Sequence, residues 1–103
     1  MTPYVLHPAV RNFLKPLSQE VKHKVSKQLF LLQTLGRALP PPDSKKISRE
    51  LFELRVQSKI QVRLLYGFSE GTALVVHAFV KKTQKIPPRE IELAHKRFME
   101  LAR

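Results

Sequence analysis

Apolar residues recur along the chain with two different periods, and the change of period divides it into a helical and a strand-rich part. Val10, Phe13, Leu14 and Leu17 follow i, i+3, i+4, i+7, the stripe of a short amphipathic helix after Pro8. Pro16 and Ser18 interrupt it, and Ser18 suits the N-cap of a second helix, since its hydroxyl can accept from a free first-turn N–H. In that helix Val21, Val25, Leu29, Leu32 and Leu35 mark one stripe, with Lys22, Lys24 and Lys27 off it and Gly36 just past its end. Two successive helices with apolar stripes predict a helical hairpin with one shared apolar side.

Downstream the period shortens to two. "LPPPDS" reads as a turn rather than a domain boundary, because neither flank is long enough to fold alone. Three strands follow, over 51–56, 60–68 and 73–81, joined by "QSK" and "SEGT". Connections this short predict an antiparallel meander, with Gly71 supplying the positive φ of its turn. "TPYVL" is a further short strand that Pro3 confines to an edge. Pro87-Pro88 followed by Glu90 and Glu92 opens a last helix over 88–102, with Ile91, Ala94, Phe98 and Leu101 as its apolar face. The predicted fold class is α+β: a helical hairpin packed on a small antiparallel sheet, with a C-terminal helix, in a single domain over 1–103.

Alternation along the strands sorts their side chains into two sets. One set is apolar apart from a tyrosine hydroxyl: Phe52, Leu54 and Val56; Ile60, Val62, Leu64, Tyr66 and Phe68; Leu74, Val76, Ala78 and Val80. This set is expected against the helices. The other holds Glu53 and Arg55, then Arg63, then His77, Phe79 and Lys81. It predicts a positively charged face with an exposed aromatic platform. Guanidinium groups match phosphate oxygens in pairs, an exposed ring can stack on an unpaired base, and a lysine adds a point charge or a proton-transfer group. Either arginine taken alone could instead serve a local ion pair, Arg55 with Glu53 or Glu50. Tyr66 falls on the core side, where packing is the more natural role.

Composition adds weight to an anionic partner. Nineteen Lys and Arg against eight Asp and Glu give a formal charge of +11 in 103 residues, an excess that attracts polyanions such as nucleic acid. The absence of cysteine removes disulfides, thiolate zinc sites and thiol nucleophiles. No glycine-rich phosphate loop, H-E-x-x-H pattern or Ser/His/Asp constellation is present, and His7, His23 and His95 show no ligand spacing. No apolar run reaches the roughly 18–20 residues of a membrane span, and the first residues lack the features of a signal peptide. A cytoplasmic location is expected.

The segments "ISRELFELRV", "IQVRLLYGF" and "HAFVKKTQKIPPREIELAHKR" closely resemble the HigB-like, phage-associated branch of the RelE/ParE toxin superfamily. The resemblance spans essentially the whole chain. It implies a RelE-like fold and the toxin of a type II toxin–antitoxin pair: an endoribonuclease that cleaves messenger RNA on the ribosome by metal-independent 2′-OH attack, without a cofactor. Its implied partners are a helix-turn-helix antitoxin, the ribosome and mRNA. By the same resemblance Arg55 binds phosphate, Arg63 stabilises the transition state, and Phe79 and Lys81 lie near the scissile phosphate as stacker and proton-transfer group. Lys82 and Lys85 continue the positive rim, with Thr83 a weaker contact. Some members use a tyrosine near the C-terminus as acid or base; the tyrosines here are Tyr4 and Tyr66, which leaves Lys81 or His77 for that role. The ParE-like branch inhibits DNA gyrase on a similar fold, and an inactive binding relative is a third alternative.

Overall fold

The computed structural model describes residues 1–102. Its elements are β1 (Tyr4–Leu6), α1 (Pro8–Leu14), α2 (Gln19–Leu35), β2 (Ser44–Lys46), β3 (Phe52–Gln57), β4 (Gln61–Ser69), β5 (Thr72–Val80) and α3 (Pro88–Leu101). The α+β class is as expected, but the sheet is mixed rather than antiparallel. Its order is β1-β5-β4-β3-β2, with β1 parallel to β5 and the remaining pairs antiparallel. β1 can lie parallel because α1 and α2 carry the chain away before β5 is made, whereas the tight turn at Glu70 and Gly71 forces β4 and β5 to run oppositely. Both turn residues have positive φ, 48° and 78°, the geometry of a two-residue hairpin turn. β2 has no signature in the sequence: Ser-Lys-Lys carries no apolar alternation, and it forms a strand by pairing with Phe52–Leu54 at the sheet's edge.

α1 and α2 cover one face of the sheet. Val10 of α1 and Val21, Val25, Leu29 and Leu32 of α2 form a single core with Leu54, Val56, Val62, Leu64 and Tyr66. Ser18 caps α2 as expected, accepting from the Val21 N–H at 3.3 Å. Tyr66 is fully structural: its ring stacks on Phe52 with centroids 5.4 Å apart, and its hydroxyl bonds the Ser44 hydroxyl at 2.5 Å. Burial pushes the Tyr66 phenol pKa up.

α3 lies on the opposite face, which alternation alone would leave open. Ala94 and Phe98 pack with Leu51, Leu65, Leu74, Val76 and Phe79 in a second core. Leu101, expected on the apolar face, is 44% exposed, and Ala102 packs against this core instead. Close approach of α3 depends on Gly67. A Cβ there would lie 2.6 Å from the Glu50 carbonyl oxygen and 2.6 Å from a Phe98 ring carbon. Gly67→Ala should therefore destabilise the fold by roughly 1–3 kcal/mol, read from urea unfolding at neutral pH.

A histidine caps α1. The His7 Nδ1 accepts from the Ala9 N–H at 3.0 Å, a bond that only the unprotonated nitrogen can make. Burial lowers the His7 pKa below its ordinary 6.5, the nearby Arg97 charge adds to the effect, and Glu100 opposes it. Since the folded pKa is depressed, this contribution to stability is present above pH 6.5 and is lost as pH falls through the folded pKa. His7→Asn caps without titrating. It should flatten this part of the stability curve between about pH 7.5 and pH 5, measured by urea unfolding across that range.

Among the described residues no helix is long and apolar enough to cross a membrane.

Candidate functional site

A bulge in β5 decides which side chains share a face. Leu65 pairs with His77 but Tyr66 pairs with Val75, so Val76 is the extra residue. The strict alternation expected for β5 therefore fails at its middle. Ala73 and Val75 turn to the α1–α2 core, while Leu74 and Val76 turn to α3, opposite to the sequence-based assignment. Past the bulge the expected parity is regained. Arg63 pairs with Phe79 and with Arg55, and Lys81 continues the row, its N–H donating to the Gln61 carbonyl at 2.8 Å.

Arg55 and Arg63 are directly opposed across two strands, an arrangement of like charges that disfavours pairing. The Arg55 N–H donates to the Asp43 carbonyl at 2.9 Å rather than to β4, which makes this a non-hydrogen-bonded pair with close side chains. The compensation is Glu53, 1% exposed on the same face. Its Oε1 lies 3.1 Å from Arg55 Nε, and its Oε2 lies 3.3 Å from Arg63 Nε and 3.8 Å from Lys81 Nζ. The Arg63 contact is close in distance but not aligned as a hydrogen bond, so both atoms keep hydrogen-bonding capacity. Arg63 is further fixed by its Nη1 donating to the Val62 carbonyl at 3.0 Å. Burial lowers the Arg63 pKa; Glu53 raises it and Arg55 lowers it, and a guanidinium so placed still keeps its charge.

Three cations around one carboxylate leave an excess of positive charge beside an open cleft. Arg63, Lys81 and Lys82 line that cleft with Gln61, Thr83 and Gln84. Lys81 also borders a neighbouring cleft with Lys45, Lys46 and Lys85. Thr83 holds the turn between them, its hydroxyl donating to the Lys85 carbonyl at 2.6 Å. An arrangement of guanidinium and ammonium groups of this kind binds phosphate oxygens.

Of the residues singled out from the sequence, Arg55, Arg63 and Lys81 converge, and Lys82 and Lys85 are exposed at the rim. His77 and Phe79 are placed differently. Phe79 is 7% exposed within the α3 core, so the expected open aromatic platform is absent; α3 and Ile86 cover it. His77 stacks on Phe79 with centroids 5.6 Å apart, and both its nitrogens are engaged. Arg97 Nη1 lies 3.1 Å from Nδ1, and Glu90 Oε1 lies 2.7 Å from Nε2. A guanidinium can only donate, so Nδ1 accepts and Nε2–H donates to Glu90. This network ties α3 to β5, with Arg97 also donating to the Val76 carbonyl at 3.1 Å.

In the sequence Glu53 reads only as a partner for Arg55. Its signal there is a lone carboxylate on the basic face, two residues before an arginine. The long-range pairs His77–Glu90 and His77–Arg97 have no local signal. Among the described residues no group of three or more His, Asp or Glu side chains is placed to hold a metal ion.

The family model described as "Phage derived protein Gp49-like (DUF891)" matches residues 12–99. The chain therefore belongs to this family, whose members are phage-derived proteins associated with RelE-like toxins. No curated protein matches the chain significantly.

Glu53→Gln keeps the side chain's shape and removes its charge, leaving Arg55, Arg63 and Lys81 uncompensated. It should destabilise the protein by about 3 kcal/mol or more, as expected when one partner of a buried ion pair is removed. Adding Arg55→Gln should recover part of that loss in the same urea titration.

Proposed function

We propose that this chain is the toxin of a type II toxin–antitoxin pair, of the HigB-like branch, and that it cleaves messenger RNA on the ribosome. The observation that carries the reading is the convergence of Arg55, Arg63 and Lys81 on the buried Glu53 carboxylate beside an open cleft. In-line attack of a ribose 2′-OH on the adjacent phosphorus builds negative charge on the non-bridging oxygens. Arg63, fixed before substrate arrives, is placed to stabilise that charge, and fixed charges need no reorganisation during the reaction. As the O2′–P bond forms and the P–O5′ bond breaks, the 2′-OH proton passes to solvent and Lys81 gives a proton to the leaving 5′-oxygen, while Arg55 binds the neighbouring phosphate.

His77, enclosed beneath α3, supports this face by holding β5 and α3 together rather than by touching RNA. Phe79 acts likewise as packing. Lys82 and Lys85 extend the positive rim, and the formal charge of +11 steers the protein to ribosomal RNA. A helix-turn-helix antitoxin is the proposed partner in the cell.

The test is 5′-end mapping of a reporter mRNA in a bacterial translation extract, with ribosomes active or omitted. New ends at codon-defined positions only during translation are expected. Arg63→Ala or Lys81→Ala should reduce their rate of appearance by roughly 10²–10³, measured below the melting temperature on protein shown folded by circular dichroism, since loss of a Glu53 partner also lowers stability. Intact message, with growth arrest and induction of the DNA-damage response in cells, would overturn the reading in favour of gyrase inhibition. A folded Arg63→Ala/Lys81→Ala double variant that still cuts at full rate would remove the site assignment.

A further inference from the structure

Beyond the end of β2 the edge of the sheet is open, and α2 roofs it. β2 covers β3 only as far as the Ser44–Leu54 pair, so among the described residues the edge from Arg55 onward has no strand beside it. Here a pocket of about 370 Å³ is lined by Lys24, Lys27 and Gln28 of α2 and by Pro42, Asp43, Arg55 and Val56. It is separate from the Arg63–Lys81 cleft; Arg55 lines the pocket, and Glu53 links Arg55 to Arg63 in the cleft. The Arg55 backbone N–H donates to the Asp43 carbonyl at 2.9 Å, and its carbonyl accepts from Gln28 Nε2 at 2.7 Å. Its Nε reaches Glu53 on the other side at 3.1 Å.

The polar lining has a definite sense. Gln28 Nε2 also donates to Asp43 Oδ1 at 3.1 Å. Both of its partners can only accept, which fixes the amide with Nε2 toward them. Among the hydrogen bonds of the described residues, Gln28 Oε1 and Asp43 Oδ2 accept none. Gln28 and Asp43 both line the pocket, and a pair of acceptors supplied by these two side chains matches a ligand edge with two adjacent donors. Among the RNA bases only guanine offers this, as N1–H beside the exocyclic amino group. Adenine and cytosine put one amino group beside an acceptor, and uracil flanks its N–H with two carbonyls. Pro42 and Val56 supply apolar contact for a ring, and Lys24 and Lys27 supply charge for its phosphate.

We propose that this pocket takes a guanine nucleotide of the RNA strand whose scissile phosphate lies at Arg63 and Lys81. As a subsite of that strand it rests on the RNA-cleaving function proposed above. Arg55, clamped at its backbone to the pocket and at its side chain to Glu53, sets the spacing between base and phosphate. The pocket thus gives the cleavage a sequence preference.

Titrations of the ¹⁵N-labelled protein with GMP, IMP, AMP, CMP and UMP, followed by two-dimensional NMR, test this. GMP should shift the Gln28 side-chain amide and the Arg55 backbone amide saturably. It should bind roughly tenfold more tightly than IMP, which lacks the exocyclic amino group. Asp43→Asn retains an acceptor for Gln28 and should erase the difference. Lys24→Ala/Lys27→Ala, on the outer part of α2, should weaken all five nucleotides and keep the ratio of GMP to IMP. Equal shifts from all five, or the same shifts from inorganic phosphate, would overturn the base pocket. So would shifts from a glutamate-rich peptide with none from any nucleotide, which would assign the pocket to a protein partner. Codon-defined cutting of mRNA without GMP shifts would overturn the pocket alone. GMP shifts with uncut mRNA would sustain the pocket and overturn the nuclease reading alone.

Discussion

The site depends on one buried carboxylate. Glu53 sits 1% exposed between Arg55, Arg63 and Lys81, which come from β3, β4 and the end of β5. Without it the strand register would place two guanidinium groups opposite one another in a region of low dielectric, where like charges repel strongly. With it the three cations are held in fixed positions, and a positive excess remains. That excess faces the cleft lined by Arg63, Lys81 and Lys82, where an anion meets charges already oriented. The desolvation of Glu53 and Arg63 is the cost of this arrangement, and it is offset only while the cluster is complete.

Everything else on that face keeps the cluster in place. The first core, between α1, α2 and the sheet, holds the strands from behind. The second core, under α3, covers part of the front, and the cationic end borders an open cleft. The bulge at Val76 allows β5 to serve both, directing Val75 backward and Val76 forward before His77 resumes the alternation. His77, Glu90 and Arg97 then fasten α3 across the bulge. A change in α3 packing would therefore reach the site through β5, the strand that leads into Lys81.

Most of the fold is legible in the sequence because long periodic segments carry it. The stripe of α2, the meander of β3–β5 and the Pro-Pro-Arg-Glu start of α3 all lie where their patterns put them, within a residue or two. β2 is invisible there because a strand of Ser, Lys and Lys is made by its neighbour rather than by its own alternation. The bulge is invisible because "ALVVHAFV" is apolar at nearly every position, so a one-residue shift changes no pattern. Both faces of such a strand read as core, and the side chosen by α3 is not written in α3 alone. The misplacement of Phe79 follows directly: an aromatic on a face marked by arginines looks exposed, but the covering helix comes from later in the chain. The arginines are legible by alternation. The carboxylate that makes them a site becomes legible only once the strands are in register.

The most direct measurement of the central claim is the salt dependence of binding to an uncleavable 2′-O-methyl RNA oligonucleotide. The slope of log affinity against log salt concentration counts the phosphates that a protein neutralises. Replacing Arg63 and Lys81 together by alanine should reduce its magnitude by about 0.7 for each phosphate that is no longer neutralised, as single strands require. An unchanged slope in the folded double variant would show that RNA binds elsewhere on this basic surface, and would contradict the assignment of the Glu53 cluster as the phosphate site.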